Sequence, residues 1–219
     1  MRHSIYIPIT ALFIAMLCVG TQCNKEDIVY QYSFIEKIDL FPSQKSYHLG
    51  DTIWLQYVNP NKRLFDHLTR QYILADTVAI TLQVAFNSRY NAPFNPADGY
   101  CDYVSSYGTN VGRYLDTNGS GLLLEFGCSS NNSYDFKIGL VLKEKGIYSL
   151  DLAQISRSVA ACTNRISAFP LSTIMYRFNV ADGNKDIFLS IPPDSRGESV
   201  KGFTENKIDN KETYIVQVE

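Results

Sequence analysis

The chain has 219 residues, with 20 Lys and Arg against 22 Asp and Glu, for a net charge of -2. Hydrophobic residues make up 45% and aromatics 13%, enough for a buried core and too much for intrinsic disorder as the main state. The mildly acidic balance and the lack of any Lys/Arg run argue against nucleic-acid binding by phosphate neutralisation.

In chain order, the first element is an address. Arg2 supplies a positive start, and Ile9 to Val19 form an almost unbroken apolar stretch. That length suits the apolar core of a signal peptide better than a bilayer span, which needs about 20 apolar residues; a short membrane anchor is the alternative. Gly20-Thr21-Gln22-Cys23 then places a cysteine directly behind the apolar run. The tetrad resembles a bacterial lipobox, whose cysteine becomes lipidated. It departs from that pattern at Gly20, where Leu is usual, and at Gln22, where a small residue is usual. Asn24-Lys25-Glu26-Asp27 is similar to the surface-export tract of Bacteroidetes lipoproteins. The resemblance implies a signal over residues 1–22, a tether over 23–28, a lipid on Cys23, and an outer-membrane protein exposed at the cell surface or facing the periplasm. Removing residues 1–22 takes away Arg2 and moves the net charge from -2 to -3, so the acyl chains must do the anchoring.

Residues 29–219 are expected to form one domain built of strands. Val78, Ile80, Leu82, Val84 and Phe86 alternate with smaller or polar residues, as do Phe136, Ile138, Leu140 and Leu142. Ile174, Tyr176, Phe178 and Val180 repeat the pattern, and Tyr214, Val216 and Val218 close it. Such period-2 alternation sets one face of each strand on a core. Runs at 28–40, 52–58, 122–126 and 147–152 fit as further strands. Turn residues fall between them: Gly50-Asp51, Asp182-Gly183-Asn184, and Lys145-Gly146, which reads as a tight hairpin. Helical periodicity is confined to 62–73 and 153–162. Many strands and little helix predict an all-β, antiparallel β-sandwich of immunoglobulin-like type. Tyr47 to Leu55 resembles the opening hairpin of β-sandwich domains in Bacteroidetes lipoproteins of unknown function. The Cys–Trp–Cys spacing of a standard immunoglobulin domain is absent.

The chemistry-bearing residues are few. With Cys18 in the signal and Cys23 lipidated, Cys101, Cys128 and Cys162 remain, which permits one disulfide in an oxidising compartment. Cys101 and Cys128 lie in loop-like sequence and are the first choice of pair, with 128–162 and 101–162 behind; a catalytic thiol has no histidine motif beside it. The mature chain holds only His48 and His67, without zinc-site spacing, so neither a metal nor a cofactor is expected. Asp182-Gly183-Asn184-Lys185-Asp186 places oxygen donors at alternate positions, yet lacks the glycine and distal glutamate of a calcium loop, and reads as a turn. Asp51-Thr52-Ile53 and Asp76-Thr77-Val78 are similar to the Asp-Thr-aliphatic acceptor of Bacteroidetes O-glycosylation, which implies glycans on Thr52 and Thr77; β-branching at a strand start explains both threonines equally well.

One segment departs from the rest. Residues 87–121 are rich in Asn, Ser, Gly and Tyr, with Tyr90, Tyr100, Tyr103, Tyr107 and Tyr114 clustered among fifteen tyrosines in all. Binding loops use this mixture because Tyr supplies rigid amphipathic area and the small residues adaptable hydrogen bonds. Together with Phe94 these rings are the expected ligand surface, in a long insertion; the competing reading is a hairpin that covers the sheet with half-buried tyrosines. Three functions follow: a non-enzymatic module binding glycan, peptide or a partner protein; an envelope or pilus subunit docking through a sheet edge such as 214–218; and a hydrolase whose paired carboxylates are visible only in space. The first is the leading expectation, and no oligomeric state is implied.

Overall fold

A computed structural model describes residues 32–75, 78–92, 99–107, 110–116, 119–126, 133–153, 159–161, 173–196 and 202–219. The alternating runs form strands where expected. These include β1 (Ser33–Phe41), β3 (Thr52–Pro60), β6 (Val78–Tyr90), β9 (Gly119–Phe126), β10 (Ser133–Leu142), β11 (Gly146–Ala153), β13 (Thr173–Phe178) and β14 (Thr213–Val218). Short β2 (Ser46–Tyr47), β4 (Arg63–Asp66), β5 (Gln71–Leu74), β7 (Cys101–Tyr107), β8 (Asn110–Asp116) and β12 (Val159–Ala161) complete the set.

Two sheets result. The first runs β5-β4-β1-β3-β10-β7 with β13 beside β1, and the second β2-β14-β11-β6-β9-β8 with β12 beside β6. Pairing is antiparallel except for β1 with β13 and β2 with β14, which are parallel. The apolar phase of each strand points between the sheets. Ile53, Leu55, Phe136, Ile138 and Leu140 of the first sheet are buried in one core with Ile80, Leu82, Val84, Phe86, Leu122 and Leu150 of the second. Burying each such side chain fully contributes roughly 1.5–3 kcal/mol. Phe86 and Tyr148 stack at 4.7 Å within that core. This is the expected β-sandwich.

Several local expectations are corrected. Lys145-Gly146 is no hairpin: β10 pairs with β3 and β7, whereas β11 pairs with β6 and β14, so this turn carries the chain from one sheet to the other. Residues 62–73 are not helical but contain the β4–β5 hairpin. Asn61 and Lys62 take positive φ ahead of it and Arg70 does so in its turn. Asp66 fixes that turn by accepting from the Leu68 and Thr69 amides at 3.3 and 2.9 Å. In 153–162, Ala153 ends β11 and residues 159–161 form β12 against β6; the remainder lies outside the described residues. The terminal β14 is no free edge, because β11 and β2 flank it and most of it is buried. Helix enters elsewhere, as α1 (Lys185–Ser190) and α2 (Phe203–Asp209).

The tyrosine-rich segment is largely sandwich. β6 runs on to Tyr90, β7 pairs with β10 in the first sheet, and β8 pairs with β9 in the second. Apart from the ends of the interior strands β6 and β9, its described part is therefore edge strand, β7 in the first sheet and β8 in the second, not a separate insertion.

Candidate ligand-binding face

Each sheet turns one face inward and one outward, and the two outward faces differ. On the second sheet, α1 and α2 cover the outside of β14 and its neighbours. Ile187, Phe188 and Ile191, from α1 and the residue that follows it, and Ile208 of α2 bury against Ile215, with Tyr90 and Ile147 packed at the margin. Beneath α2 lies a buried carboxylate, Asp151, only 5% exposed. Asn87 and Ser149 donate to its Oδ2 at 2.9 and 2.7 Å, and the Thr213 hydroxyl donates to Oδ1 at 2.5 Å. Lys207 Nζ and Arg89 stand 3.6 and 3.7 Å away. Burial on its own pushes this carboxyl up; the two cations and the hydroxyl donors outweigh it and hold Asp151 below the usual carboxylate range. With each oxygen matched, the cluster is a structural tie between helix and sheet.

No described helix covers the outward face of the first sheet. Thr52, Trp54, Gln56 and Val58 form the outward phase of β3, opposite in phase to buried Ile53, Leu55 and Tyr57. Trp54 is the single tryptophan of the chain. It pairs laterally with Phe41 of β1 and Gly139 of β10. A Cβ placed on Gly139 would come within 3.1 and 3.2 Å of indole atoms Cζ3 and Cε3, and 2.8 Å from the Thr52 methyl. The indole thus leans over the space that a side chain at 139 would fill. Lys137 extends across the same strands, its ammonium 4.9 Å from the Trp54 ring centre and 5.2 Å from that of Phe41. Gln56 and Asp39 continue the row, and Asn179 donates to Asp39 at 2.7 Å. Val58 and Val104, 54% and 45% exposed, flank it. The result is a shallow aromatic platform with a polar rim.

A second aromatic group stands on the β4–β5 hairpin. Opposite buried Leu64 and Asp66, Phe65 meets His67 and Tyr72 edge to face at 5.1 and 5.3 Å, and Tyr72 is 66% exposed.

The residues singled out from sequence are dispersed. Tyr103 is buried on the inward phase of β7, because this strand belongs to the core, and Tyr100, the residue before β7, is buried against Tyr148 at 5.2 Å. Tyr90 is half-buried against the helical cap, and Tyr107 is 39% exposed at the end of β7. The expectation that these rings share one exposed face is corrected for those four. Phe94 and the side chain of Tyr114 lie outside the described residues. Cys101 carries a free, buried thiol instead of the expected bridge, since it sits on the inward phase of β7, 3.7 Å from the Ser120 hydroxyl. Burial pushes that thiol up to about 11, which makes it a poor nucleophile at neutral pH. Cys128, Cys162, Cys23 and Thr77 lie outside the described residues, and Thr52 is half-buried as the first residue of β3.

Glu36 and the acidic residues of the 182–186 loop hold structure together. Glu36 sits on the inward phase of β1, where burial pushes its carboxyl up although the Tyr57 hydroxyl donates to it at 2.7 Å. The calcium-like loop is a turn into α1: Asp182 accepts from the Asn184 amide, and the Asn184 side chain donates to the Gln44 and Ile215 carbonyls. Lys45 pairs with its Asp186. No group of three or more metal-ligating side chains occurs among the described residues. The sequence held one unread signal for the platform, a lone tryptophan on the solvent phase of a clearly alternating strand.

No protein family matches this sequence, and no curated protein matches it. Among solved structures, the chain is similar to a type III cohesin module from the cellulosomal ScaE cell-surface anchoring scaffoldin of Ruminococcus flavefaciens. The identity is 13% and the TM-score 0.30, over 64% of this chain and 86% of that one. No described helix is long and apolar enough to cross a membrane.

Proposed function

We propose that this protein is a lipid-anchored cell-envelope component whose sandwich serves as a non-enzymatic binding module. The observation that carries the reading is the platform of Trp54 and Phe41 on an outward sheet face. Packing explains an aromatic ring in a core; on the outward face Trp54 and Phe41 are half-buried and leave part of each ring to cover, and aromatic surfaces with polar rims serve recognition. A rigid sheet beneath them keeps the rings ordered before binding, which lowers the ordering cost. The anchor is supported by the lipobox-like tetrad ending at Cys23 and by the acidic tract behind it.

Two measurements test this. Cys23→Ala is expected to move the protein from the membrane fraction to the soluble one, and unchanged fractionation removes the anchor from the proposal. For binding, the full chain in detergent is titrated with a polysaccharide panel and with a tryptic peptide pool, each followed by Trp54 emission. A saturable change with the ligand recovered intact is expected. Silence toward both sets sinks the binding module, and cleavage products turn it into a hydrolase.

A further inference from the structure

We infer that the ligand of the Trp54 face is a neutral polysaccharide chain; this rests on the binding-module reading above. Four features of the face point to that chemistry. First, the surface is shallow. Gly139 removes the side chain that would stand beside Trp54, so the indole leans from β3 onto β10, with Phe41 on β1 at its other side. A shallow aromatic surface fits an extended chain that lies on it, whereas a small molecule is better held in a pocket.

Second, the rings supply what a pyranose needs. A sugar ring presents axial C–H groups on one face, and these rest on the electron-rich face of an indole or phenyl ring. The Lys137 ammonium lies over both rings, so a stacked sugar displaces it sideways on its flexible stem, where it becomes a donor for hydroxyl or ring oxygens. Third, the rim is made of short polar groups with both donor and acceptor capacity: the Gln56 amide, the Asp39 carboxylate and the Asn179 amide that bonds to it. Hydroxyls donate and accept alike, so such a mixed rim suits a polyol better than a purely cationic or anionic ligand.

Fourth, the face has no dominant sign. Lys37, Lys137 and Arg177 occupy outward positions of β1, β10 and β13, and Lys143 follows β10; they are interleaved with Asp39, Asp102 and Asp135, and Lys143 pairs with Asp102 at 3.4 Å. An acidic polymer would meet the three carboxylates on approach, and a basic one the four cations. Charge complementarity therefore favours a neutral chain.

The probes are three neutral polysaccharides (laminarin, xylan and galactomannan) and two charged ones (polygalacturonate and heparin), read by retardation of the full chain in native gels containing each. At least one neutral polymer is expected to retard the protein, with affinity unchanged between low salt and 0.5 M NaCl, as expected of uncharged contacts. Trp54→Ala should weaken that retardation at least tenfold, Trp54→Phe should restore part of it, and Leu189→Ala on the helical cap should leave it unchanged. Thermal unfolding of Trp54→Ala verifies that the sandwich persists; should that variant unfold, Phe41→Ala and Gln56→Ala provide the same reading. Retardation only by a charged polymer, with strong salt dependence, overturns the neutral-glycan assignment. Binding of peptides alone overturns it too, while leaving the binding module standing; silence in every arm brings down both. Retardation that survives loss of the Trp54 and Phe41 rings removes this face as the site.

Discussion

The two outward sheet faces of this sandwich come from the same alternation and end differently. On β11 the outward phase is Ile147, Ser149 and Asp151; on β3 it is Thr52, Trp54, Gln56 and Val58. The first set is sealed beneath two short helices, with its carboxylate matched by hydroxyls, an amide and two cations. The second stays open among the described residues, with its largest ring leaning over a glycine. A capped face must satisfy every polar atom it buries, so its residues are explained by folding. An open face is under no such demand, and an aromatic platform there calls for another explanation.

The largest expected effect breaks the capped face. Asp151→Ala removes the acceptor for Asn87, Ser149 and Thr213 and leaves Arg89 and Lys207 facing each other across a buried gap. Breaking a buried ion cluster from one side costs about 3–5 kcal/mol, readable by urea unfolding. The carboxyl also carries a signed pH effect. Its folded value is depressed, so its contribution is complete above the ordinary carboxylate range near pH 4 and is lost as pH falls through the lower folded value. Asp151→Ala should therefore show a shallower loss of stability on acidification than the parent. Equal slopes would mean the cluster is not charged as described.

An intermediate effect is expected at Gly139, on the open face. Gly139→Val places methyl groups where the indole and the Thr52 methyl now stand. Overpacking of this kind costs about 1–3 kcal/mol, here partly relieved because the ring can swing into solvent. The expected outcome is a red-shifted Trp54 emission together with loss of ligand retention, while the Asp151 cluster and its pH response stay intact. Unshifted emission would show that the indole does not depend on the glycine.

How far this contrast was readable in sequence depends on how each element is stabilised. Strands such as β6 and β10 announce themselves because a long period-2 run has one way to bury its apolar phase. The β4–β5 hairpin is hidden in the sequence, since its four-residue strands are too short for a period to show, its turn depends on Asp66 and left-handed Arg70, and the bend ahead of it on left-handed Asn61 and Lys62. Tyr100 and Tyr103 resemble binding-loop residues by composition; long-range contacts place them in the core, Tyr103 through the pairing of β7 with β10 and Tyr100 through its packing on Tyr148. The capping helices are six and seven residues long, too short for an amphipathic signature. Trp54 is legible in phase, but only the lack of a cap over the first sheet among the described residues gives that phase a meaning.

The smallest effect concerns how far the open face extends. Phe65, His67 and Tyr72 form an edge-to-face group on the outer side of the β4–β5 hairpin, toward the edge of the sheet that carries Trp54. Tyr72 is 66% exposed and touches Phe65 mainly by its edge, so Tyr72→Ala should cost less than about 1 kcal/mol. A polysaccharide long enough to reach from β3 past β1 to β5 would gain a second stacking point there, offset from Trp54 by three strand spacings of about 4.8 Å and, along β1, by the span from Phe41 to Phe34 at about 3.3 Å per residue, roughly 25 Å in all. Tyr72→Ala should then weaken retardation by a long polymer severalfold and leave a short oligosaccharide unaffected, because only the longer chain spans both groups. Equal losses for long and short chains would merge the two groups into one site. A stability loss above about 2 kcal/mol would instead make the hairpin rings structural, since surface substitutions outside a packed feature rarely cost so much.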